Sequence, residues 1–227
     1  MSFPSNDLTI IVVPEFEPRL MSLSTFLEKH DSLWQRVYDS TSLTGSLWVL
    51  VSNSHVQGEL APLAWELAQR IRTITRFKLK NILVVYKEKP TVHEPLAQSY
   101  YNILFLVKSL SYYCFDKDAI REPHIFKDIE WGHRKVGASG YNERERVRYS
   151  PKGRDPGNVF YKTERTAEGK ILRIFEYSDE ELYEKIIKMS TKKGSSVVSN
   201  ISDSTFINLP LSSPLAKASD RCSGISV

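Results

Sequence analysis

The stretch Ile11-Val12-Val13-Pro14-Glu15-Phe16 is where this chain first invites a chemical reading. Three β-branched residues in a row favour a strand, and Pro14, which lacks an N–H, ends its ladder. In α/β proteins the carboxyl end of a strand is where reactive or ligand-binding side chains are held. This one holds Glu15 and Phe16, with no nucleophile, histidine or glycine loop beside them. Other chemical side chains are scattered. His30, His55, His93, His124 and His133 lack metal-ligand spacing, so no metal is expected. Ser52 and Ser54 lie near His55 but outside any nucleophile elbow. Cys114 and Cys222 fit neither a disulfide framework nor a zinc motif, which points to a reducing, cytoplasmic setting.

What the sequence does concentrate is positive charge mixed with rings. Between Trp131 and Asn158 it places Arg134, Lys135, Arg144, Arg146, Arg148, Lys152 and Arg154, interleaved with Tyr141 and Tyr149. Cations beside aromatics suit contact with phosphates and stacking on bases. Glu143 and Glu145 offset part of that charge, and a solvated charged loop is the competing reading. Read as a strand, "NERERVR" would put Arg144, Arg146 and Arg148 on one face.

The elements around these residues follow from periodicity. Leu8 to Val13 reads as a buried strand. Leu20 to Tyr38 carries apolar residues at helical spacing, through Leu23, Phe26, Leu27, Leu33, Trp34 and Val37. Gly45 marks a turn before a strand from Leu47 to Val51. "GELAPLAWELAQRIRTI" reads as a helix with Leu60, Leu63, Leu67 and Ile71 on one stripe. "KNILVVYKEK" and "YYNILFLVKS" are short buried strands, and "ILRIFEY" reads as another. "SDEELYEKIIKMSTKKG" is a helix with Ser178 and Glu181 as a capping box and Gly194 as its stop; strand "SSVVSNIS" follows. The tail from Leu209 is rich in Ser and Pro. Alternating strands and helices predict an α/β fold with a mainly parallel sheet covered on both faces.

The totals agree with an ordinary globular chain. Its 227 residues, 41% hydrophobic and 26% charged, are enough for one well-buried α/β domain or two small ones. A net charge of +4 permits nucleic acid as a partner without demanding it. "MSFPSNDL" lacks the blocks of a signal peptide, and the longest apolar runs are too short to span a bilayer. The expectation is a soluble intracellular protein with no membrane partner.

The order of elements resembles the DNA amino-methyltransferases that modify adenine N6 or cytosine N4, in the permuted group whose catalytic motif precedes its cofactor motif. "LWQRVYDSTSLTGSLWVLVSN" is similar to that family's helix, "lkpgG" and strand. "RFKLKNILVVYKEKP" is similar to its "GF…IiWxK" strand, with Tyr86 and Lys87 at the aromatic and lysine positions. "YYNILFLVKSLSYYCFDKDAIREPH" and "GRDPGNVFY" look like its "yE.ilfl.K…yfd.d.iRep" and "GknPgdVW". The likeness covers nearly the whole chain. It implies a single Rossmann-like methyltransferase domain over 1–227, with the segment 122–158 standing where the family carries its target-recognition region.

The resemblance also shows what is missing. The family's first strand ends in Asp-Pro-Pro-Tyr or a close variant, whose polar head binds the target amino group while the ring stacks on the flipped base. Here that motif falls at Val13, Pro14, Glu15 and Phe16, and Val13 cannot accept a hydrogen bond. Glu15 takes over only if the backbone stays extended past Pro14. The cofactor loop "VLDPFxGSGTT" corresponds to "VVSNISDSTFI": Ser199 replaces the acid, Ile201 the aromatic, and Asp203 and Thr205 two glycines. The later acid that grips ribose corresponds to Ser226. The resemblance therefore implies a catalytically inactive homologue with no S-adenosylmethionine cofactor, acting on DNA or on a partner protein. DNA contact is expected from Arg134, Lys135, Arg144, Arg146, Arg148, Lys152 and Arg154, and pairing with itself or with a methyltransferase-like protein is the further expectation. The alternatives are a divergent active adenine or cytosine methyltransferase using S-adenosylmethionine, and a purely protein-interacting subunit.

Overall fold

The computed structural model of the chain is described over residues 5–88, 98–124, 150–165, 172–200 and 207–209. Strand β1 (Asn6–Val12) leads to helices α1 (Leu23–Lys29) and α2 (Asp31–Ser40), then to strand β2 (Thr41–Val51). A small hairpin, β3 (Ser54–Val56) and β4 (Glu59–Ala61), precedes α3 (Leu63–Ile74). Strands β5 (Lys78–Tyr86) and β6 (Tyr100–Val107) follow, then a 3-10 turn over Lys117–Ile120. The remainder is β7 (Val159–Phe160), the hairpin β8 (Lys162–Arg165) and β9 (Leu172–Phe175), α4 (Asp179–Ser190), β10 (Val197–Asn200) and β11 (Ile207–Leu209).

The central sheet has seven strands in the order β11-β10-β1-β2-β6-β5-β7. β10, β1 and β2 are parallel neighbours, β6 runs against both β2 and β5, β7 follows β5, and β11 opposes β10. Most strands thus point one way, as the sequence predicted; the central antiparallel β6 is what periodicity cannot reveal. Alternation along the strands divides the core in two. Ile11, Val49, Val51, Leu104 and Leu106 face α1, α2 and α3, through Phe26, Trp34, Leu67 and Ile71. Leu8, Ile10, Trp48, Ile103 and Phe105 face the other way, onto Leu182, Ile186 and Met189 of α4 and Ile120 of the 3-10 turn. Both faces are covered.

Several local expectations are corrected by tertiary contacts. The predicted helix from Leu20 to Tyr38 is two helices that meet at His30, whose Nδ1 donates to Phe26 O at 2.8 Å and closes α1. Gly45 lies not in a turn but inside β2, where the register against β1 slips between Asn6 and Leu8. A Cβ there would meet Asn6 O at 2.8 Å, so the crowded irregularity needs glycine. Leu60 leaves the helical stripe and is exposed on β4, because Gln57 and Gly58, both with positive φ, turn a tight hairpin before α3 begins. Strand β9 is real but pairs with β8 outside the central sheet. Cys114 is disulfide-bonded, against the unpaired reading. The capping box of α4 is as predicted, Ser178 Oγ accepting from Glu181 N at 3.3 Å and the Glu181 carboxylate accepting from Ser178 N at 2.8 Å.

Candidate functional site

Parallel pairing of β1 with β10 brings together two motifs from opposite ends of the chain. Ile10 lies opposite Ser199 and Ile11 opposite Asn200, so the carboxyl ends of both strands share one rim of the sheet. This is the edge at which open α/β sheets bind ligands. The side chains that arrive there are apolar or enclosed. Val13, tied by its N–H to Leu50 O at 2.9 Å, is half-buried against the cluster under α1. Pro14 and Glu15 turn outward and are exposed, so Glu15 does not share the packed environment of Val13. Phe16 turns back in. It is 3% exposed, with its ring 5.1 Å from that of Phe26, and its carbonyl accepts from Ser54 Oγ at 3.2 Å. Ser199 is buried and its Oγ has no partner, and Thr9 on the neighbouring strand is in the same state.

An orphaned hydroxyl is a group that a ligand can complete, but Ser199 is 1% exposed and cannot be reached without moving its neighbours. Neither of two surface cavities helps. One, of about 390 Å³, lies over Trp48 and Phe105 beside Lys80 and Lys117. The other, of about 420 Å³, sits at the amino end of β1 beside Asp7 and Lys192. Neither is lined by Val13, Phe16 or Ser199. Among the described residues at the rim, Val13, Phe16 and Ser199 present no exposed polar side-chain atom. Ile201, Asp203, Thr205 and Ser226 lie outside the described residues. Tyr86 ends β5, paired with Tyr100, and Lys87 follows it, its N donating to Ser99 O at 2.9 Å. Among the described residues no group of three or more His, Cys, Asp or Glu is placed to hold a metal ion.

The basic segment enters and leaves the sheet through a narrow neck. Arg134, Lys135, Arg144, Arg146 and Arg148 lie outside the described residues; Lys152 and Arg154 are in the neck itself. Glu122 and Arg154 bridge through both backbones, with N–H to O distances of 3.1 and 2.6 Å, and His124 Nε2 donates to Ser150 O at 3.0 Å. The Glu122 carboxylate, 17% exposed, accepts from Arg154, from the Tyr177 hydroxyl and from Lys185 Nζ at 3.0 Å. Burial alone would raise that carboxyl, but the hydrogen bonds from Tyr177, Arg154 and Lys185 hold it below the ordinary glutamate value. Burial, then the bond to Glu122, pushes the Tyr177 hydroxyl up. Arg154 is thus engaged within the protein, its guanidinium 5.5 Å from the centre of the Tyr161 ring. Lys152 is different. It is 66% exposed and pairs at 2.6 Å with Asp118, which also takes Arg121 Nε at 2.6 Å. Hydrogen bonds from Lys152 and Arg121 hold the Asp118 carboxyl down to about 2.

Sequence reasoning missed Asp118, Glu122, Tyr177 and Lys185. Each is an ordinary charged or polar residue locally, and their convergence depends on α4 packing beside the 3-10 turn.

A family model for DNA methylases matches residues 17–198 of the chain. No curated protein matches it significantly. Among solved structures, the cytosine-N4-specific PvuII DNA methyltransferase is similar in fold, at a TM-score of 0.56 and 14% identity, over 87% of this chain and 68% of that one. The M1.HpyAVI–SAM complex matches at 0.46 and 16% identity, over 86% and 70%. A candidate DNA modification methylase from Thermus thermophilus, complexed with S-adenosyl-L-methionine, matches at 0.41 and 22% identity, over 54% and 51%. The chain spans about half the length of that last protein.

Proposed function

The chain belongs to the DNA methylase family, and from that premise we propose that it is a catalytically silent member which binds DNA through the basic segment 122–158. The observation that carries the reading is the end of β1. The ring at the family's base-stacking position, Phe16, is packed against Phe26 in the core, and the position of the polar head is the half-buried Val13. A base presented there would meet no hydrogen-bonding side chain from Val13 and no free aromatic face from Phe16. Ser199, at the cofactor strand, is enclosed as well. Loss of both partners of the reaction at one rim supports silence more than either change alone. The retained scaffold then serves to hold the segment of arginines and lysines, whose charge and rings suit a phosphodiester backbone.

Three measurements test this. Calorimetry with S-adenosylmethionine is expected to give no heat at micromolar concentrations, and methyl transfer from labelled cofactor to genomic DNA is expected to be nil. Micromolar binding, or label in the DNA, overturns the silent reading in favour of a divergent active methyltransferase. DNA binding is expected to weaken steeply with salt; its complete absence favours a protein-interacting subunit instead.

A further inference from the structure

We propose that Asp118 is an internal stand-in for a DNA phosphate: it occupies Lys152 in the free protein and yields it when nucleic acid docks on the neck. The inference rests on the DNA-binding reading and assigns how that surface is regulated. Each oxygen of the Asp118 carboxylate takes one cation, Arg121 Nε on Oδ1 and Lys152 Nζ on Oδ2, both at 2.6 Å. Two cations sharing two oxygens of one anion is an arrangement that the two free oxygens of a phosphodiester satisfy equally well.

The two cations have different freedom. Arg121 is held in place by a second hydrogen bond, from Nη1 to Gly153 O at 3.0 Å. Lys152 has the carboxylate of Asp118 as its ion-pair partner and is largely exposed on a flexible stem. Exposed pairs of this kind are weak and screened by salt, so a phosphate can displace the carboxylate. The neighbouring pair of Arg154 with Glu122 is not of this kind, being more enclosed and joined to Tyr177 and Lys185. Of these two cations, Lys152 can change partners and Arg154 stays. Asp118 remains ionised at neutral pH, so it competes whenever DNA is present.

The test uses the full chain and a fluorescent 20-base-pair duplex, titrated between 50 and 200 mM NaCl. The set is wild type, Asp118→Asn, Lys152→Met, the double variant, and Glu66→Gln on α3, across the sheet, as a charge control. Asp118→Asn is expected to tighten binding about twofold to fivefold at 50 mM, because one exposed ion pair no longer has to be broken, and by less at 200 mM, where salt screens that pair. Lys152→Met is expected to abolish that gain. A gain that survives in the double variant, or that Glu66→Gln reproduces, is a general charge effect and overturns the proposal. If wild type binds DNA and Asp118→Asn leaves the affinity unchanged, this inference alone fails. If neither protein binds DNA, the DNA-binding reading fails with it. Asp118→Ser, with the same expectations, serves should the amide variant misfold.

Discussion

Replacing Phe16 by alanine separates a core residue from a base-stacking one. A ring kept free to stack on a base contributes little to folding, and its truncation leaves stability nearly unchanged. In this structure the Phe16 ring is 3% exposed and tilted 56° against Phe26, which in turn lies 5.0 Å from the His30 ring at the junction of α1 and α2. Truncating a buried phenylalanine costs about 3–5 kcal/mol, from lost transfer energy and the cavity left behind. Phe16 sits on a connecting segment that can partly collapse, which favours the lower end, about 3 kcal/mol. At roughly 2–4 °C per kcal/mol for a domain of this size, Tm falls by about 6–12 °C. Urea unfolding followed by circular dichroism reads the same loss as a lower midpoint at unchanged m. Phe16→Leu, which keeps most of the volume, costs about 1 kcal/mol, and Glu15→Ala, at an exposed position, stays within about 0.5 kcal/mol. A loss below about 1 kcal/mol for Phe16→Ala, accompanied by weaker nucleotide binding, would refute the burial argument and restore Phe16 as a site residue.

Two further outcomes concern the neck. Glu122→Gln removes the charge on which Arg154 and Lys185 converge, and is expected to cost about 1–3 kcal/mol at neutral pH, short of the figure for a fully buried pair. Because the folded carboxyl lies below its ordinary value, its stabilisation is complete above the usual glutamate value of about 4.3 and is lost as pH falls through the folded value. Thermal melts between neutral and acid pH should therefore show a smaller acid loss in Glu122→Gln than in wild type; equal losses would refute the assignment. Gly153→Ala is expected to cost about 1–3 kcal/mol, since the residue has φ +99° and a Cβ would stand 2.5 Å from Glu122 O. Gly157→Ala, at φ +70° in open space, meets the backbone penalty alone, and equal Tm shifts for the two would argue against a tight neck.

The sequence by itself determined the strands that bury both faces, the amphipathic faces of α2 and α3, and the capped start of α4. Those features rest on side chains a few positions apart, whose spacing is visible along the chain. The resemblance to a family further implies which positions at β1 and β10 depart from its motifs. The sequence did not show that His30 would divide a helix, that Gln57 and Gly58 would turn a hairpin, or that β6 would run antiparallel between β2 and β5. Nor could it tell that Phe16 folds into the core while Glu15 stays outside, or that Arg154 belongs to Glu122 and Lys152 to Asp118. Composition treats those two cations alike; only the tertiary structure distinguishes them, because burial and the number of converging partners decide whether a charge is bound within the protein or available to something outside it.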